Sequence, residues 1–347
     1  MTTLTRRLTV TFQDKPEQRL RIILGGLGCL LFMAGALSVT VGALSLDLAQ
    51  ILSGSLTEFD QSVLFSIRLP RILLAATVGA ALGISGAAMQ GLFRNPLADP
   101  ALIGITGGAA LAVACVIVLA GTVSGYLGLY GLGIAAFVGG IASSMVIMRI
   151  ARFSGTFSVT HMLLAGIAIN AVTFAGTGFL TFLSDDQQLR ALSFWTMGSL
   201  GGALWEPVLV CLTIVIPCLF VLIRKSRDLN LLLLGEENAT YAGLDTHRLK
   251  RAIVITASLC VGAAVAVSGI IGFIGLVVPH LIRLLFGSDH KLLIPASALF
   301  GASLLVLADT VARTVVAPTE MPVGILTSLV GGPFFLWLLV KQSRLKP

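Results

Sequence analysis

Residues 68 to 108 read RLPRILLAATVGAALGISGAAMQGLFRNPLADPALIGITGG, and no Asp, Glu, Lys or Arg occurs from Ile72 to Phe93. Arg94, Asn95 and Pro96 close this uncharged run. About 20 apolar residues in a helix span the hydrocarbon core of a bilayer, which is roughly 30 Å thick. A proline just past the run cannot continue a helix. The stretch therefore predicts a membrane-spanning helix with charged ends.

Three glycines within this run, Gly79, Gly83 and Gly86, leave one face of the predicted helix nearly bare of side chains. Such a face allows a second helix to approach closely. Ordinary packing inside a helix bundle is enough to account for the spacing, so the glycines alone indicate no function.

The composition of the whole chain agrees with a membrane protein. The 347 residues are 56% hydrophobic and 11% charged, whereas a soluble domain carries about 25% charged residues. The net charge of +7 does not indicate nucleic-acid binding, because the basic residues separate apolar runs instead of clustering with aromatics. The five cysteines lie within apolar runs without CxxC spacing, so we expect neither a disulfide framework nor a metal site.

The apolar runs predict an all-α polytopic membrane protein with about ten transmembrane helices between an N-terminal segment, 1–21, and a tail, 341–347. The spans are helix 1 (22–46), helix 2 (72–93), helices 3 and 4 (within 100–148), helix 5 (153–184), helix 6 (about 207–223), helices 7 and 8 (within 252–282), helix 9 (292–312) and helix 10 (321–340). Helix 1 is longer than the apolar part of a secretory signal, about 7 to 15 residues, so we expect it to be retained. Residues 185–206 are expected to form a short surface helix, and residues 47–66 and 228–251 are expected to form polar loops.

The distribution of lysine and arginine predicts the orientation. With both termini in the cytoplasm, 19 of the 23 basic residues fall on the cytoplasmic side and four fall outside. This excess follows the positive-inside rule. The four outer residues are Arg68, Arg71, Arg190 and Arg313.

Two segments suggest internal symmetry. VGAALGISG at 78–86 and VGAAVAVSG at 261–269 share six of nine residues at an offset of 183, and Pro96 matches Pro279 at the same offset. Helices 2 and 7 would run in opposite directions. Inverted repeats of this kind are a common plan among transporters, and here they would relate helices 2–5 to helices 7–10.

Several functions are disfavoured by what the sequence lacks. No glycine is followed by lysine, so there is no phosphate-binding GxxxxGK[ST] loop, and ATP would have to bind another chain. The absence of a mid-membrane carboxylate argues against an ion-coupled secondary transporter. Asp309 and Arg313 lie four apart near a helix end and are expected to pair with each other. We expect no metal-ligand role for the four histidines, and a membrane anchor or scaffold stays an alternative.

The chain resembles the permease subunits of bacterial ATP-binding-cassette importers for iron-siderophores, haem and cobalamin. The similar segments are RLPR at 68–71, SGAAMQGLFRNPLADP at 85–100, LLAG at 163–166, GEENATYAGL at 235–244, GFIGLVVPHLIR at 272–283, LLVLADTVAR at 304–313 and EMPVGILTSLVGGPFF at 320–335. The resemblance implies a permease domain, 22–340, in the bacterial inner membrane. It also implies a homodimer with the pathway between its subunits, two ATPase chains that carry the ATP and Mg, and a periplasmic binding protein. No cofactor is expected on this chain.

The resemblance also implies site residues. They are Arg68, Arg71 and Arg313 for docking the binding protein; Glu236, Glu237, Asn238, Ala239, Gly243, Leu244 and Asp245, within the loop 228–251, for coupling to the ATPase; and Asn95, Leu97 and Thr160 for the cytoplasmic gate. We expect the docking arginines to form exposed ion pairs, so that no single one is essential.

The pathway is expected along helices 5 and 10, because both carry small or weakly polar residues. These are Asn170, Thr173, Gly176, Thr177, Thr327, Ser328 and Gly331. Such residues either allow helix packing or line a smooth route, and on the second interpretation a bulky side chain at Gly176 or Gly331 would block transport without preventing assembly.

The stretch 184–205 resembles the haem permeases more than the siderophore or cobalamin permeases. It would form the substrate mouth, with Arg190 and Trp195. Haem has a large apolar macrocycle and two carboxylates, so an apolar passage with one basic residue at its mouth is compatible with it. A siderophore or cobalamin substrate is the alternative.

Overall fold

The computed structural model describes residues 16–42, 47–120, 126–152 and 158–343, and within these ranges all regular secondary structure is helical. The α-helices are α1 (Pro16–Thr40), α2 (Leu48–Ser53), α3 (Glu58–Ser62), α4 (Leu69–Phe93), α5 (Ile105–Leu119), α6 (Tyr126–Ile150), α7 (Val159–Leu183), α8 (Asp186–Thr196), α9 (Trp205–Arg224), α10 (Ser226–Leu233), α11 (Glu236–Tyr241), α12 (Thr246–Ser268), α13 (Ile274–Phe286), α14 (His290–Ala312) and α15 (Val323–Ser343). A π-helical segment, Val63–Arg68, precedes α4, and a 3₁₀ turn, Pro100–Ile103, precedes α5.

Ten of these helices correspond to the ten predicted spans. Among the described residues, seven helices are long and apolar enough to cross a membrane: α1, α4, α6, α7, α9, α12 and α14. Three shorter apolar helices, α5, α13 and α15, complete the set. The prediction of an all-α polytopic membrane protein is confirmed.

Two predicted loops are helical in the structure, and helix 1 lies nearer the N-terminus than expected. α1 begins at Pro16 and ends at Thr40; the expected end of helix 1 includes residues 43–46, which lie outside the described residues. The interval before helix 2 forms α2, α3 and the π-helical segment, which continues into α4. Residues 228–251 form most of α10, all of α11 and the start of α12. Polar side chains that cap helix ends explain the difference, since Asp245 accepts a hydrogen bond from the backbone N of Arg248 at 2.9 Å and so starts α12.

The helix predicted from residues 72–93 is the central element, α4. Pro70 lies in its first turn, where a backbone N–H would have no partner within the helix. Arg94 ends it in the left-handed conformation, with φ 51°. Nearly all of its residues from Leu74 onward are buried. The helix is therefore surrounded by protein, although its composition alone would also suit a lipid-exposed span.

The three glycines of α4 are the points of closest helix contact. A Cβ at Gly79 would overlap the backbone oxygen of Gly301 on α14, and one at Gly83 would overlap that of Ser297. A Cβ at Gly86 would overlap the backbone of Gly275 on α13. The packing interpretation of these glycines is therefore correct.

The contacts of α4 and α12 agree with an inverted repeat, because each helix packs against the counterparts of the other's partners. α4 packs against α13 and α14, and α12, its counterpart at the offset of 183, packs against α5 and α6. The two helices differ in extent, because α4 continues seven residues beyond Gly86 whereas α12 ends just before Gly269. Gly269 has φ 66° and Phe273 has φ 67°, and this left-handed backbone starts α13 in a new direction.

We expect Gly86→Ala to destabilise the protein by about 1 to 3 kcal/mol. The added methyl group would overlap the backbone of Gly275, which cannot move aside as a flexible side chain could. Gly26→Ala on α1 is the matched control, since nothing lies within 4 Å of a Cβ at that position. Alanine there should be neutral or stabilising by about 0.5 to 1 kcal/mol, as alanine favours helices. The thermal unfolding midpoint of the protein in detergent measures both effects, and equal midpoints would contradict the assigned contact.

Candidate functional site

The arginines predicted on the outer side meet at one end of the helix bundle, where they are buried. Arg71 Nε and Nη2 each donate to Asp309 at 2.9 Å, and Nη1 donates to Glu320 at 2.9 Å. The side chains of Arg71 and Asp309 are 8% and 2% exposed, whereas Glu320 is 48% exposed. One guanidinium thus holds two carboxylates, of which only Glu320 reaches the surface.

Arg68 and Arg313 bind the last turn of α1. Arg313 Nη2 donates to Ser38 Oγ at 2.8 Å and to the backbone oxygen of Ser38, and Arg68 Nη1 donates to the backbone oxygen of Val39. A Cβ at Gly42 would lie 3.0 Å from Arg68 Nη2 and 3.2 Å from Arg313 Nη1. The last carbonyls of a helix have no partners within it and carry partial negative charge, so the two cations complete the end of α1.

The expectation of exposed ion pairs at these arginines is wrong, because Arg68, Arg71 and Arg313 are 3%, 6% and 8% exposed. The expected pairing of Asp309 with Arg313 is also secondary, since their closest distance is 3.9 Å and Asp309 binds Arg71 more closely. The docking role of Arg68, Arg71 and Arg313 stays a prediction. It would require their contacts with α1, Asp309 and Glu320 to open. A carboxylate at a helix end needs a cation when it is buried, and this requirement could have indicated the Arg71 pair.

At the opposite end of the bundle, α10 is bound to the start of α14. Asn230 Oδ1 accepts from the backbone N of His290 at 2.9 Å and from His290 Nδ1 at 2.8 Å. Asn230 Nδ2 donates to Asp289 Oδ1 at 2.6 Å. His290 is fully buried, and its ring occupies the space that a Cβ on Gly91 would need. Asn230 was not among the residues predicted from the sequence, and nothing in its local sequence indicates this contact.

The predicted coupling residues lie on and after α11, at the end of the bundle that holds Asn230. Glu236 pairs with the buried Lys250 of α12, and Ala239 is 1% exposed, so these two residues attach α11 to the bundle. Leu244 is partly buried. The other predicted residues are exposed: Glu237, Asn238, Gly243 and Asp245. Gly243 has φ 86° with nothing within 4 Å of a Cβ, so a larger residue there would be limited by the backbone conformation and not by crowding.

Tyr241, at the end of α11, was missed by the sequence analysis. Its side chain is 89% exposed, and Leu234 before α11 is 67% exposed. Tyrosine is enriched among the residues that contribute most to protein–protein binding, and the exposed ring of Tyr241 is accessible to a partner. The sequence gives only a weak signal, one aromatic residue within a polar segment.

On α7, the predicted pathway residues face their own subunit. Asn170 Nδ2 donates to the backbone oxygen of Ala101 at 3.3 Å. A Cβ at Gly107 on α5 would lie 2.5 Å from Thr173 Oγ1, and a Cβ at Gly176 would lie 2.8 Å from Leu111 Cδ1. Thr177 is partly buried and donates to the backbone oxygen of Thr173. The residues of α7 that are exposed are instead mostly apolar: Leu164, Ile167, Val172, Phe174, Phe179, Phe182 and Leu183.

On α15 the predicted residues divide between two faces. Thr327 is buried, and with Gly331 it lines an apolar cavity of about 270 Å³ between α13, α14 and α15. A Cβ at Gly331 would overlap the ring of Phe273. Ser328 is exposed. A bulky residue at Gly176 or Gly331 would therefore disturb packing within the subunit, which corrects the expectation that it would obstruct only the pathway.

The predicted gate residues lie near the C-terminal end of α4 and the start of α7. Asn95 is exposed and accepts from the backbone N of Leu97, which is partly buried, at 3.0 Å. Thr160 is exposed in the first turn of α7, and in the described part of the chain no hydrogen bond joins it to either residue. Burial raises the pKa of the nearby Asp99 carboxyl above its usual value, and its hydrogen bond from the backbone N of Ala101, at 2.7 Å, opposes this effect.

The predicted substrate mouth contains the amphipathic helix α8. Asp185 and Gln188 form reciprocal hydrogen bonds that cap its start. Arg190 and Phe194, one turn apart, are both exposed, and Phe194 is 62% exposed. Trp195 instead packs partly buried against the core, so of the two predicted mouth residues only Arg190 is exposed. The surface helix expected within 185–206 is present.

Known proteins share both the sequence and the fold. The profile of the FecCD transport family matches residues 30–341. The hemin transport system permease protein of Yersinia pestis is 50% identical, over 93% of this chain and 97% of that protein. The cobalamin import system permease protein of Halobacterium salinarum is 43% identical, over 86% of this chain and 78% of that protein. A solved inward-facing structure of a metal-chelate type ABC transporter matches with a TM-score of 0.83 and 36% identity, over 92% of this chain and 99% of that one.

We expect Arg71→Gln to destabilise the protein by about 3 to 5 kcal/mol, because it leaves the buried Asp309 carboxylate without its main cation. Arg190→Gln is the matched control, since Arg190 is exposed and was predicted on the same side; its effect should stay within about 0.5 kcal/mol. The double variant Arg71→Gln/Asp309→Asn should recover part of the loss. Thermal unfolding in detergent measures all three, and an Arg71→Gln protein as stable as the control would show that the ion pair is not structural.

Proposed function

Because this chain belongs to the FecCD transport family, whose members are permeases of ABC importers, we propose that it carries haem across the bacterial inner membrane into the cytoplasm. The haem would arrive on a periplasmic binding protein. ATP and Mg would bind two separate ATPase chains, and this chain would bind no cofactor of its own.

The observation that carries the choice of haem is the similarity to the hemin permease of Yersinia pestis, which covers almost the whole of both chains. The similarity to the cobalamin permease of Halobacterium salinarum is lower in identity and in coverage. Cobalamin is therefore the second candidate substrate, ahead of a ferric siderophore.

The geometry of α8 is compatible with haem. Arg190 and Phe194 are exposed on successive turns of one helix. A guanidinium beside an aromatic ring offers one group for a propionate and one for the macrocycle. Two contacts fix the position of α8. Just after the helix, the backbone N of Ser199 donates to the backbone oxygen of Ser268 at 2.8 Å. Within the helix, the backbone of Trp195 lies so close to Gly269 that a Cβ there would overlap it.

The exposed apolar faces of α7 and α15 support a homodimer. Phe174 and Phe182 on α7 are 81% and 83% exposed, and Leu329 and Val330 on α15 are 64% and 63% exposed. Both faces suit either lipid or a second copy, and the pathway would lie where the two copies meet. On this view the exposed Ser328 faces the pathway, whereas Thr173 and Gly331 support it from behind.

The end of the bundle that carries α11 would face the cytoplasm and dock the ATPase. Six of the 19 basic residues predicted inside lie in or beside α9 to α12, near this helix. Glu237, Asn238 and Tyr241 are its exposed groups. Both chain termini would lie on this side as well, by the positive-inside rule.

We expect Tyr241→Ala to weaken binding of the ATPase by about 30-fold or more, the size of effect seen when a central aromatic anchor is removed. Tyr241→Phe retains the ring and should bind nearly as well as the original protein. Because this side chain is 89% exposed, neither change should alter the thermal unfolding midpoint. Equal binding by the alanine and phenylalanine variants would argue against docking through Tyr241.

Transport itself is tested in proteoliposomes that contain this chain with its ATPase, with ATP inside and the binding protein outside. We expect haem to accumulate, whereas liposomes loaded with ADP should accumulate none. Cyanocobalamin, offered on its own binding protein, should not enter. Uptake of cyanocobalamin without uptake of haem would reverse the assignment of the substrate, and uptake of neither would contradict both.

A further inference from the structure

A cleft of about 580 Å³ lies between α6 and α12. Its lining contains three arginines and five other residues, of which four are large and apolar. The arginines are Arg149, Arg152 and Arg251, and the others are Ala142, Met145, Val146, Met148 and Ile255. No carboxylate lines it.

The three arginines have no acidic partner within the described residues. Each is exposed, and none of the ion pairs in the described ranges includes any of them. Arg149 is in the last turn of α6, Arg152 follows it, and Arg251 is in the second turn of α12. Three like charges on one cleft repel one another, so an anion bound between them would relieve the repulsion.

The rest of the lining is apolar and faces outward. Met145, Val146 and Ile255 are 55%, 45% and 36% exposed. They lie one to two turns along the helices from the arginines, toward the middle of the spans. A free inorganic anion would leave this apolar surface exposed, whereas an acyl chain would bury it favourably.

α6 and α12 contact each other directly beside the cleft. Ser144 and Ser258 share a buried hydrogen bond of 2.7 Å. Farther along, a Cβ at Gly262 would lie 3.3 Å from the Phe137 ring. By the positive-inside rule, the helix ends that carry the arginines lie in the cytoplasmic leaflet.

We propose that this cleft binds an anionic phospholipid of the cytoplasmic leaflet. The phosphate lies among Arg149, Arg152 and Arg251, and an acyl chain packs along Met145, Val146 and Ile255. Basic pockets between transmembrane helices on the cytoplasmic side suit such head groups, and the planar guanidinium pairs with phosphate through two hydrogen bonds. The lipid thereby joins the ends of α6 and α12.

The test is a titration of the purified full-length protein in detergent, with its partner subunits if they copurify, followed by native mass spectrometry. The probes are cardiolipin, phosphatidylglycerol, phosphatidylethanolamine and glycerol phosphate. We expect both anionic lipids to bind more tightly than phosphatidylethanolamine, and glycerol phosphate, which lacks acyl chains, to bind only weakly. Binding of glycerol phosphate as tight as that of phosphatidylglycerol would overturn the proposal in favour of a simple anion site.

Two kinds of variant make the result specific to the cleft. Arg149→Gln/Arg152→Gln/Arg251→Gln should weaken binding of phosphatidylglycerol at least about tenfold, since each juxtamembrane arginine contributes about fivefold. The control Arg21→Gln/Arg224→Gln/Arg227→Gln removes the same charge from exposed arginines outside the cleft, and it should change binding little. An equal loss in the two triple variants would mean that general surface charge attracts the lipid.

Val146→Trp keeps all three arginines and fills the apolar part of the cleft. It should also weaken binding of phosphatidylglycerol, and normal binding by this variant would overturn the proposed path of the acyl chain. This second variant keeps the proposal testable if the triple variant does not fold. None of these measurements depends on transport. They therefore test lipid binding independently of the assignment of haem as substrate.

Discussion

Direct contact between the backbones of α4 and α14 is the constraint on which the rest of the structure depends. Gly79 meets Gly301 and Gly83 meets Ser297, at positions where a single added carbon would overlap backbone atoms. Transmembrane helices in a bilayer have little hydrophobic driving force to associate. Close contact between their backbones supplies van der Waals attraction instead, and larger side chains at these positions would prevent that contact. The same contacts set one antiparallel register, which leaves Arg71 beside Asp309 at one end and Gly91 beside His290 at the other.

The polar groups at both ends of the bundle depend on this register. A shift of α4 by one turn would separate the Arg71 guanidinium from the Asp309 carboxylate, which is almost fully buried. The separated charges would be destabilising, because water could not solvate the buried carboxylate in place of the arginine. At the other end, the same helix pair holds His290 in place, and His290 binds Asn230 of α10. Displacement of α10 would therefore disturb the first turn of α14, which packs against α4. In this way one packed pair of helices connects the predicted coupling surface with the opposite side of the membrane.

The predicted site residues differ in burial, and their roles stay predictions. Arg190 and four of the coupling residues are exposed as expected. The arginines at 68, 71 and 313 are equally polar in sequence, yet they are buried because the carbonyl end of α1 and the side chains of Asp309 and Glu320 meet them. Thr173 and Gly176 lie on a helix with two different faces, one against α5 and one exposed, and a weakly amphipathic sequence does not distinguish them. Tyr241 and Asn230 were missed because exposure and long-range hydrogen bonding leave no periodic pattern.

The sequence by itself determined that this is a polytopic helical membrane protein and roughly where its apolar spans fall. These properties follow from the length of apolar runs and from the cost of charge in lipid, both of which are local. Only the tertiary structure decided which helices touch, which faces of α7 and α15 are exposed, and that the arginines predicted outside are buried against α1, Asp309 and Glu320. It also decided that Arg251 lines one cleft with Arg149 and Arg152, which precede it by about a hundred residues. Such juxtapositions depend on close packing between helices distant in sequence, and hydropathy, which is summed along one helix at a time, does not contain that information.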